Sequence, residues 1–415
     1  AITWMLYGWL PPIWALMGGM LFALRIGLLS YWMNSYWGGA LATIGGALLL
    51  GALPRLRVHW RVRDAVWFGL GIAILGATRP FEGTMTAAAA SVTLLVWMFG
   101  KGRPPLRVSL VRVALPVTLI AAMAAAGLLY YFQSVTGSPF RMPYVVQREA
   151  YATAQYFFWQ NPAPQPVYRH DALRDFYAGW ELTEFTDSQS FRGVLWNTAQ
   201  KLISAWLFFF GPLLTIPLLF LPQVIRSKRL RPLLILGAAV LFGMSLTVWF
   251  YAHYAAPIAG LLFVVLAQGL RHLRLWRRRE GGAGARLVRA IPAVCLMVIA
   301  ARLIVQPLGF YFPPAWPMTW FHTPDGNTGR ASVLARLTAM EGNQLALVRY
   351  WPGHRAVMNE WVYNEAAIDQ ARVVWAREMD AASNRELIRY FKGRRLWLVE
   401  ADADPPKVTP YPEIP

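Results

Sequence analysis

Residues 65–99 read AVWFGLGIAILGATRPFEGTMTAAAASVTLLVWMF. Arg79, Pro80 and Glu82 interrupt an otherwise greasy run. The fold turns on whether this stretch crosses a membrane once or twice, and its flanks decide. Upstream lies PRLRVHWRVRD (54–64) and downstream GKGRPPLRV (100–108), both strongly basic. Two more basic loops follow, QVIRSKRLRP (223–232) and RHLRLWRRREGGAGARLVR (271–289). The four together hold only two acidic residues, Asp64 and Glu280. Short basic loops face the cytoplasm. An even number of spans must therefore separate any two of them, so 65–99 crosses twice. Its halves, 65–78 and 84–99, are short against a span of about 20 residues, and RPFEG becomes the outer tip of a thin or tilted hairpin.

Working outward, the same parity closes for the whole chain. The stretches 13–30, 37–53, 110–131, 199–222, 232–250, 257–270 and 290–306 complete about nine crossings, the first of them incomplete. The expected fold is mainly α: a polytopic transmembrane bundle over 1–306, with an outer loop at 133–198, and a small extracytoplasmic α/β domain over 307–415. The 133–198 loop is too long for a connector, and its Trp and Tyr content suits a helix lying on the membrane. In the C-terminal part, RASVLARLTAME and SNRELIRYFKG read as helices, the second with a Ser383–Glu386 capping box. QLALVRYW, ARVVWARE and RRLWLVEAD read as strands. Alternating elements predict an α/β layer, and the tail PPKVTPYPEIP is expected to be extended or disordered.

Composition agrees with a membrane protein. The 415 residues are 56% hydrophobic and only 15% charged, against roughly 25% in soluble domains. A net charge of +19 would suggest nucleic acid in a soluble chain. Here the charge sits in short loops, with no aromatic–basic nucleic-acid module. The single Cys295 excludes disulfides and cysteine metal clusters. No Walker A, HExxH or GxSxG pattern is present, which argues against ATP-driven pumping and zinc proteolysis. His354 and Asp369 lack metal-ligand spacing. The opening AITWMLYGWL has no basic n-region and no small-residue cleavage site, and is expected to continue from sequence upstream.

Four polar stretches are candidate sites, each with a plainer reading beside it. Arg79 and Glu82 either pair at a solvated turn or line a cavity below the membrane surface, because charges at depth are expensive. His253 and Tyr254, in HYAAP (253–257), are either part of an interfacial aromatic belt or a proton donor or phosphate contact at a cavity mouth. Asn34, in SYWMNSYWGGA, sits between two Tyr-Trp pairs that form either a belt or a stacking platform for a sugar. In YRHDALRDFYAGWE, Arg169, His170 and Arg174 either cover a solvated amphipathic face or clamp a lipid phosphate. Asp171 or Glu181 would then orient hydroxyls. Arg25 and Arg302 lie near or inside spans and read as snorkelling.

The stretch GLGIAILGATRPFEG (69–83) resembles the TRPEG-type segment of bacterial GT-C membrane glycosyltransferases. These are the RgtA/B/C/D-like enzymes, with relatives among protein mannosyltransferases and aminoarabinose transferases. The resemblance covers roughly 1–306. It implies transfer of a sugar from a polyprenyl-phosphate carrier to an acceptor on the outer face, with membrane lipid as a further partner. It also implies an acidic residue in the first outer loop, and basic groups, in some members with a divalent metal, on the leaving phosphate. No acidic residue precedes Asp64. The resemblance thus puts the catalytic acid upstream and leaves Glu82 and Arg79 as donor-binding wall. A transporter or lipid flippase, and a non-catalytic membrane scaffold, are the competing readings.

Overall fold

The computed structural model describes residues 1–33, 35–100, 103–276, 282–305, 307–308, 328–354 and 359–412. The chain divides into two compact units. The first comprises Ala1–Val146, Tyr156–Trp159 and Ser188–Thr323; the second comprises Gln147–Gln155, Gln160–Asp187 and Pro324–Pro415.

The first unit is helical. It opens with α1 (Ile2–Trp9), α2 (Pro12–Phe22), α3 (Gly39–His59), α4 (Val62–Thr78) and α5 (Pro80–Phe99). Pro12 and Pro80 stand in the first turns of their helices, where proline's missing N–H costs nothing. Among the described residues, five helices are long and apolar enough to cross a membrane: Gly39–His59, Pro80–Phe99, Leu106–Thr136, Ala252–Leu275 and Ala283–Val305. Phe191–Phe209 and Gly211–Leu218, bent by 97° at their junction, make a sixth if they count as one span. The protein is therefore a membrane protein, mainly helical. Of the nine expected crossings, 37–53, 84–99, 110–131, 257–270 and 290–306 coincide with the five, and 199–222 with the bent pair. The stretches 13–30 and 232–250 fall on the shorter apolar helices Pro12–Gly27 and Arg231–Ser245, and 65–78 falls on α4, of 17 residues.

Ala252–Leu275 is the central helix, 89% buried over its apolar window, whereas Leu106–Thr136 is 6% buried. A helix apolar all round belongs either in a core or in lipid, and these two illustrate each case. Gly46 of α3 allows a close approach to the centre, since a Cβ there would stand 1.9 Å from the Pro257 carbonyl oxygen. Arg25 does not snorkel. It is buried, and its guanidinium donates to the carbonyls of Leu207 (2.8 Å) and Phe208 (3.3 Å). Those carbonyls lose their helical partners at the 97° break, so the arginine satisfies groups that burial would otherwise leave costly.

The second unit holds a four-stranded sheet, β1 (Gln344–Arg349), β2 (Val373–Arg377), β3 (Arg395–Glu400) and β4 (Lys407–Pro410), in the order β2-β1-β3-β4. β1 runs parallel to β2 and β3, and β4 is antiparallel to β3. Helices Thr328–Ala339 and Ala381–Tyr390 accompany it. Ala346 and Val348 pack with Val333 and Leu337, while Leu345 and Leu347 pack with Val374 and Leu387. Alternate residues of β1 thus serve two cores, as expected of a strand covered on both faces. Two details differ from the sequence reading. The cap of Ala381–Tyr390 is Asp380, whose carboxylate accepts the N–H groups of Ala382 and Ser383 and the Ser383 hydroxyl. An ionised oxygen outcompetes the Ser383 hydroxyl for those donors. The proline-rich tail supplies β4, an edge position that proline tolerates.

Candidate functional site

The interruption at 79–83 is not a loop. Arg79 alone, at φ −141° and ψ 79°, separates α4 from α5. Its N–H donates to the Leu75 carbonyl at 2.8 Å and its carbonyl accepts from Gly83 N–H at 2.7 Å. The turn is tight enough that a Cβ on Gly83 would lie 2.5 Å from the Leu75 oxygen. Glu82 therefore sits in the first turn of α5, where the helix dipole favours a carboxylate, and only 4% of it is exposed. The Tyr156 hydroxyl donates to Glu82 Oε1 at 3.1 Å. No ion pair joins Arg79 to Glu82 among the described residues. Arg79 instead donates to the Trp37 carbonyl and lies 4.9 Å from the centre of the Tyr254 ring. Its Nε is buried with no hydrogen-bond partner among the described residues.

His253 and Tyr254 occupy the start of the central helix. The Tyr31 hydroxyl accepts the His253 backbone N–H at 3.2 Å and shares a 2.8 Å hydrogen bond with its Nδ1. Trp37 and Tyr251 flank the imidazole at 5.1 and 5.5 Å between ring centres. Tyr156 is held in place by its backbone, since its carbonyl accepts from Val248 N–H at 3.0 Å and Phe157 bridges to Thr247. Lys201 and Asn197 in turn fasten that segment through the carbonyls of Thr247 and Val248. Burial, followed by the Glu82 charge, raises the Tyr156 phenol well above its ordinary range, so it stays a hydrogen-bond donor.

The structure thus gathers Arg79, Glu82, His253 and Tyr254 into one cluster with Tyr31, Trp37, Tyr156 and Tyr251. It offers a cation, a carboxylate, an imidazole and phenols between aromatic walls. Such a set can bind a phosphate, orient hydroxyls and stack on a sugar ring. Tyr31 and Trp37 come from the Tyr-Trp pairs expected to form a platform; Trp32 instead stacks on Phe208 at 5.1 Å, and Tyr36 is fully exposed. Asn34 lies outside the described residues. Tyr156 carried no sequence signal, being 74 residues from Glu82. No group of three His, Cys, Asp or Glu able to hold a metal occurs among the described residues.

Arg169, His170, Asp171 and Arg174 belong to the second unit. Arg169 is exposed. Arg174 pairs with Asp171 at 2.9 Å and Asp175 at 3.2 Å, all three exposed. Its charge is therefore already matched. His170 caps the turn Asp171–Arg174 by accepting Ala172 N–H on Nδ1 at 3.1 Å. Burial, and then the Arg377 charge, hold its pKa below the ordinary value. Glu181 forms a buried pair with Arg148 at 2.5 Å, and burial pushes its carboxyl up despite that partner. No protein-family model, curated protein or solved structure matches the chain.

Proposed function

We propose that the protein is a GT-C-like integral-membrane glycosyltransferase, moving a sugar from a polyprenyl-phosphate donor to an acceptor on the extracytoplasmic face. The setting is the bacterial inner membrane, with the basic loops inside and the C-terminal unit outside. The observation that carries the reading is the convergence of Arg79 and Glu82, at a one-residue break between apolar helices, on His253, Tyr254 and Tyr156. Arg79 is suited to the donor phosphate, because a guanidinium with a buried, unpartnered Nε offers a directed donor. Glu82, gripped by Tyr156, orients a hydroxyl. The aromatic rings exclude water and face the sugar.

The test replaces Glu82 by Gln in cells carrying the gene and reads envelope glycans and lipid-linked sugars by mass spectrometry at matched protein level. Losing one orienting group in a site of this kind costs about 10²-fold or more in rate. The acceptor should lack its sugar and the lipid-linked donor should accumulate on the outer face. Wild-type glycans in Glu82→Gln would remove the reading. The 97° break at Phe210 favours a second reading, since transporters build binding sites from broken helices. Transport or flipping predicts lipid-linked sugar retained on the inner face instead.

A further inference from the structure

The second unit has a feature that the sugar-transfer reading does not use. Trp351-Pro352-Gly353-His354 forms a tight turn directly after β1. His354 N–H donates to the Trp351 carbonyl at 3.1 Å, and Gly353 has φ +84°. Proline second and a left-handed glycine third are what a type II turn requires. Asp402, two residues past β3, closes the turn with both oxygens. Oδ2 accepts Trp351 N–H at 2.9 Å and Oδ1 accepts His354 Nδ1–H at 2.7 Å.

This fixes the tautomer of the neutral ring. An ionised carboxylate only accepts, so the Nδ1 facing it carries the proton. In the neutral imidazole Nε2 is then a bare acceptor. The His354 side chain is 2% exposed, and Nε2 has no hydrogen-bond partner among the described residues. More than nine in ten buried polar groups are paired, so Nε2 marks a place for an outside donor. The ring cannot turn away, because Tyr350 stacks on it at 3.7 Å and 7° between planes. His170 stands edge-on beyond Tyr350, 6.1 Å from it.

Position supports the same conclusion. The chain leaves β1 toward β2 on one side and leaves β3 toward β4 on the other. Ligands of open α/β sheets bind at such a switch point, outside the carboxyl ends of the strands. His354 follows β1 and Asp402 follows β3, so the dyad lies at that switch point. The charges nearby narrow the ligand class. Arg349 is paired with Glu378, and Arg377 with Glu360, so both charges are matched, while Arg377 Nε is left as a buried donor without a hydrogen-bond partner among the described residues. The strand ends offer the His354 acceptor, the Arg377 Nε donor and the indole of Trp351, which is 51% exposed. A donor and an acceptor beside an exposed aromatic face suit a neutral ligand rich in hydroxyls, since a hydroxyl both donates and accepts.

We propose that the second unit carries its own carbohydrate-binding site at the β1–β3 crevice, in which His354 Nε2 accepts a sugar hydroxyl and Trp351 stacks on the ring. Full chain in detergent is applied to an immobilised panel of hexose, pentose and N-acetylhexosamine oligosaccharides. Wild type is expected to retain at least one class. Trp351→Ala and His354→Gln should each weaken that binding tenfold or more. Trp351 is exposed, so its variant should melt like wild type, which keeps the test valid if His354→Gln folds poorly. A wild type that retains no glycan overturns the proposal and leaves Asp402 a clamp on a turn. Binding unchanged in Trp351→Ala overturns it equally. This site is read by the loss of panel binding in Trp351→Ala, and the sugar-transfer reading by envelope glycans in Glu82→Gln, so the two fail separately.

Discussion

At the scale of single residues, the cluster shows which signals a sequence can carry. Arg79, Glu82, His253 and Tyr254 were legible because charge and imidazole are conspicuous in apolar surroundings. Tyr156 was not, because the tyrosine that grips Glu82 looks like any other tyrosine in an aromatic segment. Asp380 outranked Ser383 as a cap because an ionised oxygen holds several donors at once. His170 gives a testable pH dependence. Its folded-state value is lowered by burial first and by Arg377 next, with His354 adding to the shift and Asp171 and Glu360 opposing it. A lowered histidine means that the unfolded chain binds the proton more readily. Stability is therefore full above the unfolded value of about 6.5 and declines as pH falls below it. The melting midpoint of the full chain should drop between pH 7 and 5, and His170→Gln should flatten that slope. An equal slope in the variant would assign the effect elsewhere.

At the scale of elements, helices and strands followed their periodicities, and the breaks did not. RPFEG read as a tip five residues long, yet a single residue makes the turn. The compression depends on Gly83 meeting Leu75, a contact between two helices that no local pattern announces. The tail around KVTP read as extended or disordered and becomes β4 only because β3 offers it a free edge. Close helix packing gives a sharp prediction. Gly46→Ala places a methyl against the Pro257 carbonyl at 1.9 Å, and overpacking of this kind typically costs about 1–3 kcal/mol. Gly76 has nothing within 4 Å of its Cβ position. Gly76→Ala should be neutral or slightly stabilising by helix propensity, about 1 kcal/mol at most. Melting midpoints in detergent should separate the two, with Gly46→Ala several degrees lower.

At the scale of the molecule, loop charge organised the reading and hydropathy filled it in. Parity asked for nine crossings; among the described residues six helical stretches at most meet the length and composition for one, because Pro12–Gly27, Val62–Thr78 and Arg231–Ser245 are shorter helices. What sequence could not show is that 147–155 and 160–187 pack as part of the C-terminal unit. Buried pairs such as Arg148–Glu181 depend on chain closure rather than local pattern. The charge reading has a direct test. Cys295 is the sole, buried cysteine, so its replacement by Ala gives a background for single labelled sites. Exposed Arg61→Cys and Lys228→Cys should react with an impermeant thiol reagent only in opened cells, and exposed Tyr36→Cys should react in intact ones. Labelling of all three from the same side would refute the topology.

The one-residue junction at Arg79 has a mechanical consequence. Two helices joined by an ordinary loop can tilt independently, because slack absorbs the motion. Here there is no slack. α5, of 20 residues, is a lever about 30 Å long pivoting on the two dihedrals of the residue whose guanidinium faces Trp37 and Tyr254. A bilayer that changes the tilt of α5 to match its own thickness must turn that pivot, and with it the backbone from which the Arg79 side chain reaches Trp37 and Tyr254.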